Sequence, residues 1–374
     1  MKGVSIMILT ELTIIIALLF ALNIGASGAA ATMGPAYGGG AVRSRRFALC
    51  LVAVMAFGGA MLGSDKVIQT IGENILPSHI LTVEVVLIIL ISSCLTLFMA
   101  NILGIPLSTS EVTVGALVGV GIAFQSLFIE HTLFIVLFWF AIPLTALMIA
   151  FVLGKGLSWI DKRWPHLEAK NGKWRRPLII LLLLTGCIEA FAAGMNNVAN
   201  AIGPIIGAGL VSEENGTWLG ALFMALGAVL LGGKVLETNG KKITSLTLLQ
   251  GSAVSGTGGI LVLLASLFGI PVPLTQVTTS AIVGIGMADT GMQVWHKQIV
   301  QRIIKVWIAS PIISLVVAYS LVRVFMMSDY TNAVLLCMCT ILAFVGIVLL
   351  VKMAIRGNIQ HQKKGEVQNE TDEP

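Results

Sequence analysis

The chain has 374 residues, 56% of them hydrophobic and only 11% charged, with a net charge of +5 and a mean hydropathy of +0.95. A soluble domain covers its surface with roughly 25% charged residues, so this composition excludes a water-soluble globular protein and points to lipid as the solvent. The basic residues sit in short clusters between apolar runs, which argues against nucleic acid as a partner and marks cytosolic loops instead.

In chain order, apolar runs long enough to cross roughly 30 Å of hydrocarbon are predicted near 7–26, 47–63, 81–100, 131–153, 177–194, 217–233, 246–268, 301–325 and 333–353. The first ends on Ala26-Ser27-Gly28-Ala29-Ala30, small residues of the kind found at signal-peptide cleavage sites. It lacks a basic flank close to its core, so an uncleaved first membrane segment is expected. Two further stretches, 106–125 and 273–289, are apolar but rich in glycine, threonine and serine, and follow Pro106 and Pro271. They are expected to be broken or re-entrant helices, since irregular backbone survives in a bilayer only where protein or a polar cavity shields it.

Counting each of these two as one crossing gives eleven passages. With the N terminus outside, the basic clusters at 43–46, 155–176, 234–242, 297–305 and 352–364 all fall on the cytosolic side, as the positive-inside rule requires. The C terminus is then cytoplasmic. Organisation follows as a first membrane repeat over 1–153, a cytoplasmic linker over 154–176, a second repeat with the final helices over 177–355, and a polar, disordered tail over 356–374. Five cysteines lie in apolar stretches with no CxxC or mixed Cys/His spacing, so neither a disulfide nor a metal centre is expected.

The two halves carry the same motifs at a spacing of roughly 165–170 residues. Phe20-Ala21, Gly25-Ala26 and Gly34-Pro35 recur as Phe191-Ala192, Gly194-Met195 and Gly203-Pro204. Gly63-Ser64-Asp65-Lys66-Val67 recurs as Gly232-Gly233-Lys234-Val235, and Gly104-Ile105-Pro106 recurs as Gly269-Ile270-Pro271. The charge-derived topology gives the copies opposite orientations. The expected fold is therefore an all-α polytopic membrane protein of two inverted-topology repeats with broken or re-entrant helices. In that architecture the substrate site lies near the midplane, at the repeat interface.

Polar residues recur at matching places. Asn23 and Ser27, then Ser108, Thr109, Ser110, Glu111 and Thr113, occupy the first half; Asn196, Asn197 and Asn200, then Thr275, Gln276, Thr278 and Thr279, occupy the second. Polar groups in hydrocarbon are costly unless they find a partner or a ligand. Hydroxyls, amides and the free N–H groups of a helix start all donate, and a helix N-terminus suits an oxyanion. The candidate substrate-binding residues are Ser27, Ser108, Thr109, Ser110, Asn196, Asn197, Asn200, Thr275 and Thr278, with Asn23, Glu111 and Gln276 as candidates for coupling. Glu111, the one acidic residue in these stretches, is assigned the coupling proton. Glu189 stands two turns before Asn196 and is either a second candidate or a helix-packing partner. Lys66 and Lys234 either draw anions to the two mouths or, as preferred, snorkel to the headgroups.

With these motifs in place, the chain resembles the inorganic phosphate transporter family, and within it the bacterial sulfate permease branch, over about residues 15–290. Gly194-Met195-Asn196-Asn197-Val198-Ala199-Asn200-Ala201 resembles the family signature Gly-Ala-Asn-Asp-x-Ala-Asn, and Pro106-Leu107-Ser108-Thr109-Ser110 resembles its Pro-x-Ser-Thr-Thr/Ser stretch. Where phosphate carriers have aspartate, this chain has Asn197 in one copy and Gly28 in the other; where they have histidine it has Glu111 and Gln276. The resemblance implies a homodimeric secondary transporter with no cofactor beyond a coupling ion, H+ or Na+; losing both aspartates favours the proton. Sulfate carries no proton at neutral pH and is bound by donors alone, whereas protonated phosphate also wants an acceptor, so neutral amides favour sulfate. Thiosulfate and related oxyanions offer similar acceptor surfaces. The alternatives are a sodium- or proton-coupled phosphate transporter and a passive anion channel. With no nucleotide loop, metal cluster or nucleophile–base pair in view, no enzymatic activity is expected.

Overall fold

The computed structural model describes residues 2–103, 107–164, 167, 172–238, 240, 246–296, 298–330, 334 and 338. Among these the secondary structure is helical throughout, without a strand. The expected span at 333–353 apart from residues 334 and 338, the tail at 356–374 and the Gly104-Ile105-Pro106 motif lie outside the described residues.

Helix α1 (Lys2–Ile24) is apolar along its length and passes into a π-helical turn at Gly25–Ala29, then into α2 (Gly34–Gly38). Gly25, Ala26, Ser27, Gly28 and Ala29 are all buried, so the small residues that imitate a cleavage site serve close packing in the interior. Helix α3 (Arg45–Gly63) starts at Ser44, whose hydroxyl accepts from Phe47 N at 3.3 Å, an N-cap of the preferred residue type. After α4 (Asp65–Glu73) come α5 (Val83–Leu103), α6 (Thr109–Ala123) and α7 (Ile129–Arg163). Helix α7 continues past residue 153, so the first part of the expected linker is helical. The second half comprises α8 (Arg175–Gly207), α9 (Glu213–Leu231), α10 (Gly233–Glu237), α11 (Leu248–Leu267), α12 (Leu274–Thr290) and α13 (Gln298–Phe325). Among the described residues, eight helices are long and apolar enough to cross a membrane, while α6 is too short. Leu133, Phe140, Leu144 and Val152 of α7 and Ile308 and Ile312 of α13 are exposed, the apolar outer face that lipid requires.

The two glycine- and threonine-rich stretches form the returning arms of helical hairpins. At the open end of α11–α12, Asp289 accepts from Gln250 Nε2 and from Ser158 Oγ, both at 2.8 Å, which ties the end of α12 to the start of α11 and to α7. Helix α12 begins at Leu274 after an extended link that contains Pro271. In the first half, α6 turns back so that Phe128 N donates to Ile75 O at 3.1 Å, close before α5.

The halves interlock. Helix α7 packs on α12 and α13 on α6; α3 packs on α8 and α9 on α1. The closest backbone approaches are reciprocal. A Cβ at Gly59 would lie 1.9 Å from Phe191 O, and one at Gly227 would lie 1.8 Å from Leu22 O. Likewise Gly194 meets Ala56 O and Gly25 meets Met224 O. This exchange of contacts pairs equivalent positions of the two halves. It also matches Leu22 with Phe191, so the Phe-Ala pairs at 20–21 and 191–192 stand out of register.

Lys66 and Lys234 belong to the same reciprocal pattern. Lys66 Nζ donates to Leu267 O at 2.9 Å, at the end of α11, and Lys234 Nζ donates to Ile102 O at 3.4 Å, at the end of α5. Each lysine thus caps the hairpin of the opposite half. The carbonyls at a helix C-terminus lack intrahelical donors and carry partial negative charge, which accounts for the cation there. Both lysines are exposed, so each also has donors left for other partners.

Candidate functional site

The start of α6 meets the middle of α8. Ser108 is the N-cap of α6, its hydroxyl accepting from Glu111 N at 3.3 Å. That cap turns Thr109 and Ser110 toward α8. Thr109 Oγ1 donates to Asn197 Oδ1 at 3.1 Å, and Asn200 Nδ2 donates to Thr109 Oγ1 at 3.1 Å and to Ser110 Oγ at 3.2 Å. Ser110 Oγ also lies 3.4 Å from Asn196 Oδ1 and 3.1 Å from Val272 O. Asn196, Asn200 and Ser110 have no exposed surface, and Asn197 only 1%.

The link between α11 and α12 closes the other side. Asn196 Nδ2 donates to Ser266 Oγ and to Ile270 O, both at 3.0 Å, while its Oδ1 accepts from Val272 N at 3.1 Å. Trp139 Nε1 donates to Pro271 O at 3.3 Å. Ser27 joins from the π turn, its hydroxyl donating to Leu107 O at 3.2 Å. Beside it, a Cβ at Gly28 would stand 2.6 Å from Asn197 Nδ2, so only glycine leaves that amide its room.

Buried polar atoms without a hydrogen-bond partner among the described residues include Asn197 Nδ2 and Asn200 Oδ1 in this cluster, Glu111 Oε2 and the Thr113 hydroxyl on α6, and the hydroxyls of Thr275 and Thr279 on α12. An unpaired buried polar group costs roughly 1–3 kcal/mol. A ligand that reached Asn197 Nδ2 and Asn200 Oδ1 would relieve that cost. Donors and acceptors come from residues that are formally neutral, Glu111 excepted.

Glu111 Oε1 accepts from Gln276 Nε2 at 2.5 Å. This pair borders a cavity of about 520 Å³ between α7, α12 and α13, whose walls include Trp139, Pro143, Trp307 and Pro311. Two candidate residues lie apart from the α6–α8 contact. Asn23 donates to Leu19 O at 3.1 Å and to Cys94 Sγ at 3.4 Å, and accepts from Asn101 Nδ2, forming a junction of α1 with α5. Thr278 bonds to Glu189 and, at 3.1 Å, to Leu274 O. Ser266 and the backbone of Ile270 and Val272 were not among the residues expected from sequence; the Gly269-Ile270-Pro271 turn is the signal that marks their position.

Comparison with known proteins agrees with this architecture. The model of the phosphate transporter family matches residues 24–318. The chain is 50% identical over 343 residues to the sulfate permease CysP of Bacillus subtilis, covering 92% of this chain and 95% of that protein. A solved structure, the sodium-dependent phosphate transporter, superposes with a TM-score of 0.76 at 24% identity over 85% of this chain and 99% of its own, which establishes a common fold. This multi-pass membrane protein therefore belongs to the phosphate transporter family.

Proposed function

We propose that the chain imports sulfate across the cell membrane by alternating access, coupled to protons. The observation that carries this reading is the amide of Asn197: a buried donor with no acceptor among the described residues, beside a glycine, among hydroxyls and amides. Sulfate presents four acceptor oxygens and no hydrogen, so it is satisfied by donors. The start of α6 adds first-turn N–H groups and partial positive charge. Binding by dipoles rather than by arginine or lysine suits a carrier, which must also release its ion. The 50% identity to a protein named as a sulfate permease supports the same substrate.

The reciprocal packing of the halves supports an inverted repeat. If each hairpin enters and leaves on one side, α1, α3 and α7 are the full crossings of the first half and α8, α9 and α13 those of the second. An odd number per half inverts the second copy and keeps the N terminus outside, with the charged linker in the cytosol. The two hairpins then approach the site from opposite faces, as gates that open in turn. A homodimer in the membrane is the assembly that accompanies this reading.

Phosphate is the second reading, and a specific observation favours it. Asn200 Oδ1 and Glu111 Oε2 are buried acceptors without donors, and a protonated phosphate would supply a hydrogen. Uptake of labelled sulfate by proteoliposomes, with phosphate as competitor and with or without sodium, separates the two. Saturable, sodium-independent sulfate uptake that is driven by a proton gradient and resists phosphate is expected. Phosphate uptake dependent on sodium would overturn the proposal, and conductance without saturation would identify a channel.

A further inference from the structure

Glu189 is buried without exposed surface in the middle of α8, and neither the Asn196–Asn200 cluster nor the Glu111–Gln276 pair uses it. Its Oε1 accepts from Thr278 Oγ1, and its Oε2 has no hydrogen-bond partner among the described residues. Ser255 of α11 faces the same carboxyl group, and the backbone of Gly258 and Gly259 closes on it from α11. No described lysine, arginine or histidine pairs with it; the ion pairs among the described residues are Arg45–Glu237 and Arg323–Asp329. Helix α11 contains no charged residue, and the carboxylate of α12, Asp289, is bound at the open end of the hairpin. Glu11 of α1 and Arg45 and Arg46 of α3 are exposed. An ionised carboxylate in such a place, without a counter-ion, is among the costliest groups a protein can bury.

Thr278 offers the carboxyl no more than one hydrogen. A threonine hydroxyl has one hydrogen, and in a helix it commonly goes to the carbonyl one turn back. Here that carbonyl is Leu274 O, at 3.1 Å. That one hydrogen is shared with Glu189 Oε1, to which Thr278 Oγ1 also donates, so the hydroxyl does not replace a counter-ion.

We infer that Glu189 is a second proton-binding carboxyl, so that with Glu111 the protein carries two protons for each sulfate; this rests on the sulfate–proton reading above. Gln276 and Thr278, which hold the two glutamates, are both on α12, so movement of that hairpin would disturb both acids together. Each carboxylate takes one proton on the outer side and yields it on the inner side. A completed cycle then moves two positive and two negative charges inward, and is electroneutral.

Proton and labelled sulfate influx are measured together in proteoliposomes, with the membrane potential set by potassium and valinomycin. The wild-type chain is expected to show two protons per sulfate and no response to potential. Glu189→Gln is expected to show one, with uptake suppressed by an inside-negative potential. A wild-type ratio of one, or a ratio of two retained in Glu189→Gln, overturns the inference while leaving sulfate transport standing; absence of sulfate uptake by the wild type overturns the functional reading itself. Should Glu189→Gln fail to fold, carbodiimide labelling of the wild type decides, because the reagent attacks protonated carboxyls in apolar surroundings. Labelling of Glu189 that falls as pH rises and ignores sodium supports the inference. No labelling at any pH, or protection by sodium, overturns it.

Discussion

Glu111 Oε1 accepts a hydrogen bond from Gln276 Nε2 at 2.5 Å across 165 residues of sequence, and each residue is the repeat counterpart of the other. The two halves thus meet through one equivalent position that holds an acid in one copy and its amide in the other. Glu111→Gln keeps the shape but removes the exchangeable proton. Uptake measured across a pH series is expected to show a weakened pH dependence, with one proton per sulfate remaining through Glu189, while thermal unfolding stays close to wild type. Gln276→Leu strands the carboxyl; loss of a buried hydrogen bond to a charged group costs roughly 1.5–3 kcal/mol, and an uptake rate about tenfold lower or worse is expected. A pH profile unchanged in Glu111→Gln would remove Glu111 from the coupling step.

Asn197 tests the choice of anion. It stands where phosphate carriers have aspartate, and its Nδ2 is the donor without a partner. Asn197→Asp replaces that donor by an acceptor that repels a dianion but accepts a hydrogen from protonated phosphate. At roughly 1–3 kcal/mol for a mismatched polar contact, the half-saturating sulfate concentration should rise about tenfold to a hundredfold. Phosphate, inert against the wild type, should become a competitor. Equal sulfate affinity in both proteins would place the anion elsewhere.

Much of this arrangement is legible in the sequence, for a physical reason. Asn196, Asn197, Asn200, Thr109, Ser110 and Glu111 are polar residues in apolar runs, and Asn196, Ser110 and Glu111 have polar counterparts in Ser27, Thr275 and Gln276, so cost singles out all six and duplication these three. The rest is carried by groups that leave no such trace. Ile270 O and Val272 N are backbone atoms. Ser266 is one serine in an apolar helix, indistinguishable by pattern from Ser252, which merely bonds to its own helix at Leu248 O. The two lysines sit in a visible duplicated motif, yet their partners are carbonyls more than a hundred residues away. The returning path of α6 and α12 likewise depends on the tertiary contacts of Ile75 and Asp289, which no local periodicity encodes.

Gly28 and Gly59 separate a functional glycine from a packing one. A Cβ at Gly28 would meet Asn197 Nδ2 at 2.6 Å, the movable end of a side chain. Gly28→Ala should therefore fold but displace the amide, lowering sulfate uptake about tenfold on the 1–3 kcal/mol scale of a lost polar contact. At Gly59 the obstacle is the backbone carbonyl of Phe191, at 1.9 Å. Gly59→Ala must part α3 from α8, and overpacking of that kind costs roughly 1–3 kcal/mol or more. Its midpoint of thermal unfolding in detergent should fall clearly below that of Gly28→Ala. The reverse order would mean that Gly28, not Gly59, is the packing contact.

Lys66 and Lys234 make equivalent bonds on opposite hairpins, to Leu267 O and Ile102 O, and so predict opposite effects. Replacing either by methionine keeps the length of the side chain and removes its charge and its donors. An exposed cation at a helix C-terminus is worth roughly 0.3–1 kcal/mol, enough to shift a balance between two conformations about two- to fivefold. Freeing the α11–α12 hairpin in Lys66→Met should favour opening on one face, and freeing the α5–α6 hairpin in Lys234→Met opening on the other. Half-saturating sulfate concentrations for influx and efflux in oriented vesicles report this directly. Each variant should lower the value on one face and raise it on the other, with the faces exchanged between the two variants. Changes in the same direction in both proteins would show that the lysines merely stabilise the fold.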